Sequence, residues 1–130
     1  MTSMLRQVNA WLAWAFVAAL FVQVWLAGSA IPQLGGKGSF ASHVDFGYMI
    51  GLFSLILLIA AIVARSGRRR ILQAAAILGL YVVQSSLPYM DPGLPAVAAL
   101  HPVNAVVMIG LAIWYARQVW RERGGAIATA

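Results

Sequence analysis

Four apolar runs alternate with short polar stretches along the chain, at about 8–30, 44–64, 71–87 and 97–116. A membrane-crossing helix needs on the order of 20 apolar residues, with about 17 the lower limit. The third run sits at that limit. It should cross with little tilt or continue as helix into the polar stretch before it. Three connections separate the runs. Residues 32–39 are rich in glycine and form a flexible turn. Residues 65–70 hold four arginines and make a tight basic turn. Residues 87–95 hold Pro88, Pro92 and Pro95 and cannot be helical throughout. The pattern predicts an all-α membrane protein: one domain over 1–130, a four-helix up-down-up-down transmembrane bundle.

The first run could pass for a secretion signal, with Arg6 ahead of it and Ala27-Gly28-Ser29-Ala30 as a cleavage site. It is longer than the roughly 7–15 residues of a signal core, so an uncleaved first span is expected.

Composition sharpens this. The chain is 62% hydrophobic and 9% charged, where a soluble domain carries about 25% charged residues. It has no cysteine, which excludes disulfides, iron–sulfur clusters, thiolate-held metals and thioether attachment of heme. A net charge of +6 would suit nucleic acid, but its distribution argues for topology. Eight of the nine basic residues, namely Arg6, Arg65, Arg68, Arg69, Arg70, Arg117, Arg121 and Arg123, flank the runs on one side. Only Lys37 lies on the other. By the positive-inside rule both termini and the arginine turn are cytoplasmic, with the bilayer of a bacterial inner (plasma) membrane as the partner and no nucleic acid. A lipid-headgroup role is the alternative reading of the arginines.

The chain has two histidines, and both open runs that descend from the outer face. An ionisable side chain in a membrane span marks a functional site by default. The two halves also repeat: Val22-Gln23, then His43 and Gly47; Val83-Gln84, then His101 and Ala105. Two such hairpins in one orientation imply a pseudo-twofold axis along the membrane normal. Residues four apart share a helix face. Gly47 and Gly51 therefore lie beneath His43, and Ala105, Met108 and Ala112 beneath His101. Small residues under an imidazole leave a flat recess. A porphyrin uses one, with histidine as a common axial ligand of its iron, and four-helix bundles build cofactor sites between facing helices. The candidate iron ligands are His43 and His101. Gly47 and Ala105 are candidates to line the cofactor, and Lys37 either meets a heme propionate or is solvated. Taken alone, Gly47-x-x-x-Gly51 is also a helix-packing motif.

Other chemistries have less to work with. Zinc and copper sites want three or four protein ligands, and only Asp45, Asp91 and Met90 stand near enough in sequence to complete a set. No nucleophile–base–acid set exists for hydrolysis. No acidic residue lies mid-span to relay ions, which disfavours a transporter. Gln23 and Gln84 are read as interhelical hydrogen-bonding groups. One spacing is awkward: His43 to Arg65 is about 33 Å of helix, and His101 to Arg117 only about 24 Å. The histidines share a depth if the second helix tilts more, or if the last helix begins before His101 and continues past Arg117 toward Arg121.

Gln73, Leu78-Gly79 and Leu100-His101 together resemble the second helix pair of one four-helix half of heme A synthase. The stretch Leu100-His101-Pro102-Val103-Asn104-Ala105, with His43 ahead of Gly47, resembles a group of small four-span bacterial membrane proteins of unassigned function. The first resemblance implies heme ligation by His43 and His101. It does not imply oxygenation of heme, because this chain has one bundle and no glutamate beside a histidine in its second helix. The expected function is a heme b-binding membrane protein. Electron transfer would run through one bis-histidine heme near the outer leaflet, with quinone or a larger membrane complex as partner. The alternative is a cofactor-free structural or accessory subunit.

Overall fold

The computed structural model describes residues 2–123. Four long helices carry the chain back and forth: α1 (Thr2–Ala30), α2 (Ala41–Val63), α3 (Arg68–Ser86) and, after the one-turn helix α4 (Pro95–Ala98), α5 (His101–Glu122). Four segments, Ser3–Ala30, Ala41–Val63, Arg68–Met90 and Pro95–Glu122, are long and apolar enough to cross a membrane. The described residues include no strand. The fold is the expected all-α transmembrane bundle.

Sequence neighbours pack side by side: α1 on α2, α2 on α3, α3 on α5. The ring closes where α5 returns to α1. Each wall is an antiparallel pair, and α2 and α5 lie across the diagonal. Leucine, phenylalanine and alanine fill the centre of the half nearer the arginines. Phe16, Leu20, Leu57, Ala61, Ala74, Ile77, Ala112 and Tyr115 are all buried. Large apolar side chains such as Phe21, Leu52, Ile59, Val82 and Val106 point outward and are exposed. In water that would be costly; toward lipid tails it is what a spanning helix requires. Trp25, at 68% exposure, and Tyr89, at 74%, stand toward the ends away from the arginine turn, where amphipathic rings settle at the headgroup level.

The turns follow from local chemistry. α2 ends as Ser66 N–H donates back to the Ala61 carbonyl (3.1 Å) and Arg65 N–H to that of Ile62 (3.0 Å). This closure places Arg65 at φ 50° and Gly67 at φ 80°. The left-handed region is routine for glycine and uncommon for arginine. α3 starts at Arg68, so the short third run does continue into the arginine turn. At its far end Pro88, which has no N–H, lies in a short 3-10 turn (Leu87–Met90) that closes the helix.

The basic end is tied by polar groups that sequence spacing did not single out. Tyr115 donates its hydroxyl to Asn9 Oδ1 at 3.0 Å, and Asn9 Nδ2 donates to Ser66 Oγ at 3.3 Å. That chain joins α5, α1 and the α2–α3 turn in a buried setting. Arg70 bonds Glu122 through Nε (2.9 Å) and Nη2 (2.6 Å), and Gln73 through Nη1 (2.9 Å). Trp11 and Trp120 meet edge to face, with centroids 4.8 Å apart.

A candidate histidine-pair site

α2 and α5 are diagonal, so side chains at their ends away from the arginine turn meet across the bundle axis. His43 is in the first turn of α2. His101 is the first residue of α5, where Pro102 fixes the start of the helix. From His43 to Val63, and from His101 to Glu122, each helix runs about 30 Å at about 1.5 Å per residue. The apparent depth mismatch disappears because α5 continues past Arg117 and Arg121. The two imidazoles meet with centroids 6.2 Å apart and planes inclined at 69°.

Each ring is aimed by the helix before it. His43 Nδ1 donates to the backbone carbonyl of Gln23 (3.2 Å), and His101 Nδ1 to that of Gln84 (3.0 Å). A carbonyl can only accept, so both rings carry hydrogen on Nδ1, and in the neutral form Nε2 keeps its lone pair. The two halves thus repeat in hydrogen bonding as well as in sequence. Gln84 has a specific reason to be available. Its intrahelical partner would be the N–H four residues on, and that residue is Pro88. Both acceptors are carbonyls near the end of the preceding helix.

Gln23 and Gln84 do bond between helices. Gln23 Nε2 donates to the His43 carbonyl at 2.8 Å and lies 3.5 Å from His43 Nε2. Gln84 Oε1 accepts from Asn104 Nδ2 at 2.7 Å, which also donates to the Leu80 carbonyl at 2.9 Å. Asn104 was part of the Leu100–Ala105 stretch without an assigned role. Its position three residues after His101, on the same face, was the available signal.

The recess beneath His43 is partly filled. A Cβ on Gly47 would stand 3.2 Å from Gln23 Nε2, and one on Gly51 would collide with the Tyr81 ring. The gap left by the two glycines holds an amide and a phenol. Ala105 is half-buried one turn below His101, with Met108 and Ala112 buried further in. Lys37 is exposed in the α1–α2 loop. Packing also changes along the axis. Leu20, Ile50, Ile77 and Met108 are buried, while between that layer and the loops only Ala30 and Leu87 are. His43, Gln23, Phe46, Tyr81, His101 and Asn104 all remain half-buried.

Histidines that share one iron have a characteristic separation. Two iron–nitrogen bonds of about 2 Å, similar to those of zinc–imidazole sites, plus half a ring on each side put the centroids about 6 Å apart. A histidine ligand usually gives its other N–H to a carbonyl or carboxylate, which fixes the tautomer. Among the described residues no group of three or more histidines, cysteines or acids stands together.

Residues 23–89, just over half the chain, match the family of unknown function DUF6220. The chain belongs to that family. The match spans Gln23, His43 and Gln84 but stops before His101. No curated protein and no solved structure matches the chain. The expected kinship with small membrane proteins of unassigned function agrees with the family match. The resemblance to heme A synthase has no support from it.

Proposed function

We propose that this protein is a b-type heme-binding membrane protein, with His43 and His101 as the axial ligands of one iron. The reading is carried by two imidazoles on diagonal helices, 6.2 Å apart, each tied through Nδ1 to a carbonyl of the preceding helix. His43 and His101 would hold the iron through Nε2. Gly47 and Ala105 supply small side chains beside the rings. The outer halves of α1 and α3 supply an apolar wall with Gln23 and Gln84 as its polar members. When bound, heme supplies one-electron redox chemistry. The protein's part is to exclude water, fix both ring orientations and hold the site at one depth in the bilayer. The proposed role is electron transfer with quinone or as a subunit of a larger membrane complex. The proposed setting is a bacterial inner membrane with both termini in the cytoplasm, argued from the eight basic residues on one side.

One observation favours the rival, a cofactor-free accessory subunit: the Gln23 amide sits over Gly47 and against His43 Nε2. For heme to bind, that side chain must swing aside. Titrating the purified protein with hemin separates the two readings. A saturable one-to-one complex with low-spin absorption, lost in both His43→Ala and His101→Ala, is expected. Binding that survives both substitutions, or no binding, would leave the accessory reading standing.

A further inference from the structure

The other end of the bundle carries a second feature, independent of the histidines. A cleft of about 440 Å³ opens between the start of α1, the α2–α3 turn and the end of α5. Its lining includes Arg6, Arg65 and Arg123 with Ser66, Gly67 and Glu122. Three arginines thus line one concavity. Its carboxylate, Glu122, is already bonded by Arg70 from outside the lining. Arg123 is held in place: its guanidinium stacks 3.0 Å over the Trp120 ring and 5.9 Å from that of Trp11. Gly67 is the N-cap residue of the 19-residue α3 and makes no side-chain cap. Gly67 lines the cleft directly before the first turn of α3, the end of the helix that carries the positive end of its dipole.

We propose that this cleft binds a phosphate group, presented by an anionic phospholipid or carried by a soluble phosphate. Guanidinium groups match phosphate geometry with paired hydrogen bonds. Backbone N–H groups at a helix start add to that attraction. The level suits a headgroup, because the cleft lies where all four helices leave their apolar spans. Arg117 and Arg121 belong to a different groove, with Gly110, Trp114 and Gln118, and give a charge-matched control.

The test uses the full chain in a neutral detergent. Binding is followed by tryptophan fluorescence in a chain in which Trp14, Trp25 and Trp114 are replaced by Phe, so that the signal comes from Trp120 and Trp11 beside Arg123. The probes are phosphatidylglycerol, phosphatidylcholine and inorganic phosphate. Saturable binding of phosphatidylglycerol alone supports the lipid as source. Competition by millimolar inorganic phosphate supports a soluble source for the same site. Arg6→Gln combined with Arg65→Asn, the latter tolerant of the left-handed turn, should weaken binding by about tenfold or more, as loss of charge-assisted bonds implies. Arg117→Gln with Arg121→Gln should change it less than about threefold. Circular dichroism confirms that each variant keeps its helices, and Arg123→Gln serves if the first pair does not. Equal losses in both pairs would show a general basic surface and overturn the site. So would equal binding of phosphatidylcholine, or no binding of any probe.

Discussion

At Gly51 the absent Cβ makes room for the Tyr81 ring, and at Gly47 for the Gln23 amide. The two positions should respond differently. Gly51→Ala must push a ring aside in the wall between α2 and α3. Overpacking of this kind costs about 1–3 kcal/mol, so thermal unfolding in detergent should shift down by a few degrees. Tyr81→Ala in the same chain should remove that penalty. Gly47→Leu meets a flexible amide first and should weaken hemin binding more than it lowers the unfolding midpoint. A Gly47→Leu variant with unchanged hemin affinity would separate that glycine from the proposed site. Tyr115 makes a third case, since it is buried and donates to Asn9. Tyr115→Phe leaves Asn9 Oδ1 without its donor, at a cost of about 1–3 kcal/mol for an unsatisfied buried group. Asn9→Leu in the Tyr115→Phe background should recover part of that stability, as measured by the same unfolding midpoint.

The elements show how the repeat places its two histidines. In each hairpin the first helix offers a carbonyl near its outer end, and the second helix opens with the histidine that donates to it. The two hairpins differ in how that carbonyl's neighbourhood is held. Asn104 clamps Gln84 in the second hairpin; the matching place in the first holds Phe46, and Gln23 turns to the His43 carbonyl. Pro88 is the element-level control point. Pro88→Ala restores an N–H four residues after Gln84, and the lengthened helix competes for the carbonyl that aims His101. Hemin affinity should fall while helix content holds or rises. The same variant with unaltered affinity would show that the carbonyl bond does not set the ring. Gln84-x-x-x-Pro88 was visible in the sequence. Its meaning depended on where the His101 ring points, which only the packed bundle decides.

For the whole molecule, hydropathy gave the four spans and their alternation, because a bilayer leaves helices few other options. Their ends were less legible. α3 begins at Arg68 and α5 runs to Glu122, since arginine is a good helix former that can carry its charge to the interface. The histidine pairing was legible from the repeat, and the filling of its glycine recess was not, because Tyr81 and Gln23 come from neighbouring helices. The basic-end network of Asn9, Ser66 and Tyr115 was hidden for the same reason. Orientation rests on the distribution of arginines, and a reporter fused after Ala130 should be active in the cytoplasm; activity only outside would invert the assignment. His43 and His101 are proposed to hold one iron between them. Electron paramagnetic resonance of the ferric, hemin-loaded protein tests it most directly, because axial ligation sets the spin state and the angle between imidazole planes sets the anisotropy. With planes at 69°, the expected result is a low-spin, strongly anisotropic signal from one heme per chain; a high-spin signal would contradict a shared iron.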